Sequence, residues 1–417
     1  MIGFACLILA GAGLLLLPIA QQPGIDLAPV DALFTSASAV CVTGLVTVDT
    51  AMTYSLFGRI VIMLLIQFGG LGVATVGVFA IVMMGKRVGL RGRVLLREAF
   101  NLYTIQGVVG LLWWIIGITA IIEGIGAFLS FLAFRRDYPI GTAAGLGIFH
   151  AVSSFNNAGF DCLGNFQSLT AYENNPLLLM TTAGLIVLGG LGFIVIREIL
   201  HYHKKRHFSL HSKIVLFMTS ILIVAGTLLL KLTYKMSWLS AFFHSVTART
   251  AGFNSIDIGR LPDAALMILM ILMVIGASPG STGGGIKTTT AFTILTSTFK
   301  MTSQKRCAAF KRQISWDIIN KAYILLVLVV ILLLINTFLV CLFEPAIPMT
   351  DVLFEVISAF ATVGLTVGIT PTLSTASKLI LVLTMYFGRL GLLTLAYAWT
   401  PKQLSNLEYV EEKYIVG

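Results

Sequence analysis

The chain has 417 residues, of which 57% are hydrophobic and only 11% charged, with a formal net charge of +10 and a mean hydropathy of +0.94. A soluble domain of this size could not cover that much apolar surface, so the composition excludes a soluble fold and implies a polytopic helical membrane protein. The basic excess does not point to nucleic acid, because the charges lie in short loops between apolar runs, where topology explains them.

Taken in chain order, apolar runs suited to membrane spans cover 2–20, 57–84, 108–134, 177–200, 213–233, 263–299, 317–343 and 377–399. The first lacks a basic lead-in and a small-residue cleavage site, so it reads as a span, trimmed or whole, and not as a removed signal peptide. The five cysteines (Cys6, Cys41, Cys162, Cys307 and Cys341) have no CxxC spacing, and several sit in apolar runs. They indicate neither a disulfide framework nor a metal site.

Between successive pairs of these runs a short segment recurs: a Phe, nine residues, then a Gly followed by a large apolar residue. The copies are Phe34–Gly44, Phe149–Gly159, Phe242–Gly252 and Phe354–Gly364, followed by Leu45, Phe160, Phe253 and Leu365. A repeating unit of span, short pore helix, extended strand and span follows, present four times. The expected organisation is repeat 1 over 1–84, repeat 2 over 99–200, repeat 3 over 212–300, repeat 4 over 317–400 and a cytoplasmic tail over 401–417. The expected fold is all-α and integral to the membrane, with four pseudo-symmetric repeats around one central, potassium-channel-like pore.

Charge orients this arrangement. The connections between repeats carry Lys86, Arg87, Arg91, Arg93 and Arg97, then Lys204, Lys205, Arg206 and Lys213, then Lys300, Lys305, Arg306, Lys311 and Arg312. With neighbouring residues and the tail, this side holds 18 Lys and Arg against 6 Asp and Glu, and the other side 7 against 11. The positive-inside rule places the connections and both termini in the cytoplasm of a cell-membrane protein. The four short segments then face outward, in an acidic vestibule that raises local cation concentration.

A dehydrated monovalent cation needs rings of oxygens to replace its water, and backbone carbonyls supply them where the chain can turn them inward. Glycine permits such a backbone because it tolerates positive φ. Candidate filter residues are Cys41, Val42, Thr43 and Gly44; Asn156, Asn157, Ala158 and Gly159; Arg249, Thr250, Ala251 and Gly252; and Ala361, Thr362, Val363 and Gly364. The carbonyls of Val42, Thr43, Asn157, Ala158, Thr250, Ala251, Thr362 and Val363 would hold potassium. Val42-Thr43-Gly44-Leu45 and Thr362-Val363-Gly364-Leu365 are close in character to the TVGYG filter of potassium channels; the other two are degenerate versions.

The second spans repeat as well. Gln67-Phe68-Gly69-Gly70-Leu71-Gly72 corresponds to Val187-Leu188-Gly189-Gly190-Leu191-Gly192 and to Tyr386-Phe387-Gly388-Arg389-Leu390-Gly391. Arg389 therefore stands where the others have Gly70 and Gly190. A guanidinium near mid-membrane costs about 2.5–3.5 kcal/mol on insertion scales, so a role is implied: a cationic barrier below the filter, or packing against backbone carbonyls. The third repeat instead reads Gly276-Ala277-Ser278-Pro279-Gly280-Ser281-Thr282-Gly283-Gly284-Gly285-Ile286-Lys287. Pro279 and five glycines cannot sustain a helix, so this span is expected to break. Unwound backbone at that depth needs cover from protein or a water-filled cavity, and beneath the filter it could plug the pore. Ile286 spoils a near match to the phosphate-binding GxxxxGK[ST] loop, and no soluble strand precedes it. Lys287 reads as an anchor of the lower half-helix or as cavity lining.

These motifs resemble the Trk/Ktr/HKT superfamily of potassium transporters over nearly the whole chain, most closely a Ktr-type membrane subunit, since two extra leading spans of the larger Trk subunits are missing. The resemblance implies a four-repeat pseudo-channel with Gly44, Gly159, Gly252 and Gly364 as filter glycines. It also implies a gate of the 276–285 loop and Arg389, a homodimer, and a cytosolic nucleotide-binding ring as partner. Gly44 favours potassium, because a Ser there goes with sodium preference in some plant relatives. Potassium is the expected cargo. The resemblance implies that sodium couples or stimulates transport, although no residue marks a separate sodium site, and no nucleotide site is expected in this chain. The basic loops and residues 402–417 are expected partner contacts.

Other residues carry weaker expectations. Arg249 could point behind the filter and pair with an acid. His150 and His244 sit in pore helices, where packing is the default, and Asn156 and Asn157 could stiffen the second filter strand. Glu123 lies deep in a span with no partner legible. Competing readings are a sodium-translocating or weakly selective transporter of the same fold, a non-conducting sensor subunit, and an intramembrane enzyme using His150, Asn157 and Asp161. The last lacks a paired nucleophile and base and leaves the repeats unexplained, so an ion transporter and not an enzyme is expected.

Overall fold

The computed structural model describes residues 2–84, 88–99, 106–303 and 307–392, and helices dominate it. The expected tail 401–417, the end of the last span and Lys86, Arg87, Lys305 and Arg306 lie outside the described residues. The first group of helices is α1 (Ile2–Leu15), α2 (Pro29–Cys41), the single turn α3 (Thr50–Thr53), α4 (Leu56–Leu71), α5 (Val73–Met83) and the amphipathic α6 (Leu90–Ala99). The second is α7 (Val108–Phe134), α8 (Ile140–Phe155), α9 (Pro176–Leu191), α10 (Phe193–Leu200) and the short α11 (Tyr202–Lys205). Then come α12 (Leu210–Thr233), α13 (Trp238–Thr247), α14 (Asp263–Val274) and α15 (Thr288–Thr302), and after a small hairpin β1 (Ala308–Ala309)–β2 (Arg312–Gln313), α16 (Trp316–Phe343), α17 (Met349–Ala361) and α18 (Thr375–Leu390).

Among the described residues three helices, α7, α12 and α16, are long and apolar enough to cross a membrane alone. At 1.5 Å per residue they reach roughly 36–42 Å, beyond the ~30 Å hydrocarbon core. Their outward faces carry large apolar side chains with nothing from this chain over them, such as Phe128, Leu334 and Phe338, each at least 60% exposed. That pattern suits lipid and not water.

Two predicted continuous spans are broken. The run over 57–84 divides into Leu56–Leu71 and Thr75–Met83, bent by 98°, and the run over 177–200 into Pro176–Leu191 and Phe193–Leu200, bent by 103°. The bends fall on Gly72 and Gly192, at φ 87° and 91°, and α18 likewise stops at Gly391, φ 83°. The last glycine of each Gly-x-Leu-Gly motif thus ends its helix at a positive φ that favours glycine. Between α14 and α15 the chain leaves the helical conformation over 275–287.

Helix contacts run in a closed order. α1 packs on α2 and α4, α7 on α8 and α9, α12 on α13 and α14, and α16 on α17 and α18. Between groups, α4 meets α8, α9 meets α13, α14 meets α17, and α18 returns to α2. The short helices α2, α8, α13 and α17 are therefore the inner layer, and each buries a large aromatic side chain fully: Phe34, Phe155, Phe243 and Phe354.

Candidate functional site

Each inner helix ends in the same backbone device. The residue two before the repeated glycine is left-handed in all four copies: Val42 at φ 59°, Asn157 at 59°, Thr250 at 75° and Thr362 at 51°. The glycines follow at φ 92°, 69°, 78° and 92° for Gly44, Gly159, Gly252 and Gly364. Non-glycine residues adopt this region at a cost of about 1–2 kcal/mol, so four of them in register indicate a backbone held by its surroundings.

The four glycines approach one another in turn. A Cβ on Gly44 would overlap the Ala158 carbonyl oxygen and lie 3.1 Å from Gly159 Cα; one on Gly159 would meet Ala251 O and lie 3.2 Å from Gly252 Cα. One on Gly252 would overlap Val363 O, 3.0 Å from Gly364 Cα, and one on Gly364 would overlap Thr43 O, 2.9 Å from Gly44 Cα. Outside them lies a cavity of about 260 Å³ lined by all four glycines together with Asp161 and Asp257.

The strands are braced differently. Ser38 Oγ and Ser358 Oγ each accept from the glycine N–H six residues on, Gly44 and Gly364, at 3.0 Å. Ser153 holds the matching place in the second strand, but its hydroxyl has no partner among the described residues, and the third has Val246. There Asn157 and Thr250 meet side chain to side chain at 3.1 Å, and an Asn157 amide turned to donate to Ile186 O and Ser154 O satisfies both of its ends. Behind the fourth strand Glu355, 1% exposed, accepts from the Thr366 hydroxyl, from Thr370 Oγ1 at 2.9 Å and from Val367 N at 3.2 Å. Sequence reasoning missed Ser38, Ser358 and Glu355, although aligning the copies puts Ser at one position in three of four.

Arg249 departs from expectation. Its buried guanidinium reaches Thr219 Oγ1 at 3.4 Å and forms no ion pair among the described residues. The helix it reaches, α12, contains no Asp or Glu, so it offers a hydroxyl and no carboxylate. His150 Nε2 sits 2.8 Å from Thr182 Oγ1, and His244 Nδ1 is 2.8 Å from Ser240 O, both as buried packing residues.

Below the strands the second helices come close through glycine. A Cβ on Gly69, Gly189 or Gly388 would overlap the carbonyl oxygen of Val40, Phe155 or Phe360, each four residues before a strand glycine. Gly70, Gly190 and Arg389 each follow one of these, so they are structurally equivalent. The 276–287 segment folds beneath the third and fourth strands. A Cβ on Gly283 would overlap Thr250 Oγ1, one on Gly284 would overlap Thr362 Oγ1, and one on Gly276 would overlap Gly284 O. Gly280 and Gly285 adopt φ 70° and 69°.

Several of the loop's backbone groups are paired with the chain around it, as suits unwound chain in a membrane. Ser278 N donates to Gly190 O at 3.0 Å, Thr282 N to Gly189 O at 3.2 Å, and Phe193 N to Gly280 O at 3.1 Å, past Pro279. Thr288 Oγ1 donates to Ser278 Oγ at 3.0 Å. Lys287 folds back on the loop, Nζ donating to Gly283 O at 2.7 Å. Arg389 joins two elements: Nη1 donates to Thr282 O in the loop, and Nη2 to Gly69 O and to Gly70 O at 3.2 Å at the end of α4. The loop and the arginine are thus one hydrogen-bonded unit. Glu123 acquires the partners that the sequence did not supply, Asn156 and Gln67.

Comparison with known proteins agrees with this architecture. The model of the TrkH cation transport protein family matches residues 11–233 and 212–405. The chain is 39% identical to the potassium/sodium uptake protein NtpJ of Enterococcus hirae, over 100% of its own length and 96% of the relative's. It is 38% identical to the Ktr system potassium uptake protein B of Vibrio alginolyticus and to that of Bacillus subtilis, in each case over its whole length and 94% or 95% of theirs. The crystal structure of the potassium transporter TrkH from Vibrio parahaemolyticus superposes with a TM-score of 0.76 at 17% identity, covering 95% of this chain and 83% of that one. The chain belongs to the TrkH/Ktr family, a family of cation transporters and not of enzymes.

Proposed function

We propose that the chain is the membrane subunit of a potassium uptake system, passing K⁺ through a four-strand carbonyl filter and past a gate built from the 276–285 loop and Arg389. The observation that carries this reading is the closed order of glycine approaches, Gly44 to Gly159 to Gly252 to Gly364 and back. Four equivalent strands meeting in this way enclose one axis, and the repeats 1–84, 99–200, 212–300 and 317–400 are then its four sides. The left-handed residues and the glycines alternate along each strand, which lets the carbonyls of Val42, Thr43, Asn157, Ala158, Thr250, Ala251, Thr362 and Val363 replace the ion's water. The C-terminal ends of α2, α8, α13 and α17 lead into the strands, so the negative ends of four helix dipoles favour a cation there.

Beneath, the Arg389 guanidinium opposes a permeating cation and ties the loop to α4. Passage requires that unit to move. The membrane potential supplies about 2.3 kcal/mol per charge per 100 mV. A cytosolic nucleotide-binding partner acting on a homodimer would supply the moving force, as the likeness to Ktr-type membrane subunits suggests. Transport that depends on sodium, or passes it, is a second reading, favoured by the relative whose name carries both ions and by the departure of strands 2 and 3 from Thr-Val-Gly.

The test is uptake of potassium, rubidium and sodium into proteoliposomes holding the purified chain, with and without the cytosolic partner. Potassium and rubidium passing ahead of sodium is the expected result. Equal passage of sodium would install the second reading, and absence of flux even with the partner would end both.

A further inference from the structure

Glu123 is the acidic residue of α7 within the bilayer, and an ionisable group at that depth is retained for a role. It is half-buried and held by two amides: Asn156 Nδ2 donates to its Oε1 at 3.1 Å and Gln67 Nε2 to its Oε2 at 3.4 Å. Asn156 Nδ2 also reaches Gln67 Oε1 at 2.7 Å and Val152 O at 2.9 Å, so its two N–H groups are shared among three acceptors and its orientation is determined. The other end of that amide, Oδ1, has no hydrogen-bond partner among the described residues and lies against Gly70, where a Cβ would overlap it. Gly69 and Gly70 are the residues whose carbonyls accept from Arg389. Asn156 itself directly precedes Asn157 in the second filter strand.

We infer that Glu123 is a positioning residue for the gate: through Asn156 and Gln67 it holds the end of α4 in the register that presents the Gly69 and Gly70 carbonyls to Arg389. The inference rests on the gate reading given above. Its physical content is that the side chain of Asn156 fills the space a Cβ would need at Gly70, while Gln67, one turn earlier on α4, is bonded to the same carboxylate. Removing that carboxylate takes away the acceptor that Asn156 and Gln67 share and the bond that fixes Gln67 Nε2, so Asn156 is held by Gln67 Oε1 and Val152 O alone and the wall that sets the two carbonyls loosens. The guanidinium then loses acceptors on its α4 side while its bond to the loop remains.

The experiment is rubidium uptake per reconstituted molecule for the parent, Arg389→Ala, Glu123→Ala, Glu123→Gln, Gln67→Leu and the double variant Glu123→Ala/Arg389→Ala. A weakened closed state predicts that Glu123→Ala and Gln67→Leu raise uptake by about threefold, less than Arg389→Ala does. Glu123→Gln, which keeps an oxygen for Asn156, stays within about twofold of the parent. The double variant matches Arg389→Ala alone, because residues acting through one contact are not additive. Additive effects, or unchanged uptake per molecule with lowered yield only, would show a purely structural Glu123 and overturn the inference while leaving the gate intact. Unchanged uptake in Arg389→Ala would remove the gate reading and this inference with it. Should Glu123→Ala fail to reconstitute, Gln67→Leu and Glu123→Gln decide alone.

Discussion

The layer of strands and the layer beneath it are built on opposite plans. Above, four segments of different sequence adopt one backbone conformation, down to the left-handed residue two before each glycine. Below, one structural position holds Gly70, Gly190 or Arg389, and the third unit replaces it with the unwound 276–287 segment. In the proposed reading, replacing a cation's hydration shell demands equal oxygens on every side, which four like strands would supply. Closing and opening a path would need only one element that moves and one that holds it, which the unlike lower layer would supply. The contrast also runs within the strands, since serine hydroxyls brace the first and fourth whereas side chains contact each other between the second and third.

The sharpest way to break the comparison is to put a side chain where the strands meet. Gly364→Ala sets a Cβ onto the Thr43 carbonyl at a φ of 92°, with backbone and not a flexible side chain in its way. It should abolish potassium uptake or lower it by about a hundredfold, given that the strain alone costs about 1–2 kcal/mol. Gly364→Ser should in addition erode the preference for potassium over sodium in whatever flux survives. If Gly364→Ala transports normally, the strands are not the filter.

Arg389→Ala tests the lower layer. A hydrogen bond from a charged group contributes about 1.5–3 kcal/mol, so losing it from the closed state should raise uptake by about tenfold or more. Selectivity should stay as in the parent, because the strands above are untouched. A change in ion preference without a change in rate would reverse the assignment of the two layers.

A finer prediction separates the strands from one another. Ser38→Ala leaves the Gly44 N–H without its acceptor, a loss of about 1 kcal/mol, and should lower the potassium-to-sodium uptake ratio several-fold. Ser153→Ala removes a hydroxyl that makes no bond among the described residues and should leave the ratio unchanged. Equal effects from the two would mean that the serine braces do not distinguish the strands.

The smallest effect is expected at the outer cavity. Asp161 lines it, one carboxylate oxygen accepting from Leu163 N at 3.0 Å. Asp161→Asn removes one negative charge from the vestibule and should raise the potassium concentration for half-maximal uptake by about twofold at low ionic strength, with the difference fading as salt screens it. A difference that persists at high salt would place Asp161 in direct contact with the ion.

What the amino-acid sequence settles here is local conformation. Glycine at four matched positions is a demand for positive φ, and Pro279 among five glycines is a demand for a broken helix; both follow from the residue's own sterics and need no neighbour. The same sterics were present at Gly72 and Gly192, yet glycines in an apolar run with no proline among them read equally as helix interior. Only packing made these two the corners of 98° and 103° bends. Partners of long side chains were beyond reach for a different reason. Arg389 finds Thr282, 107 residues away, and α4, more than 300 away; Asn156 finds Gln67 at 89. Arg249 finds a threonine and not the acid its charge called for. A guanidinium or amide accepts any well-placed oxygen, so its residue type states that a partner exists and the tertiary fold alone chooses which one.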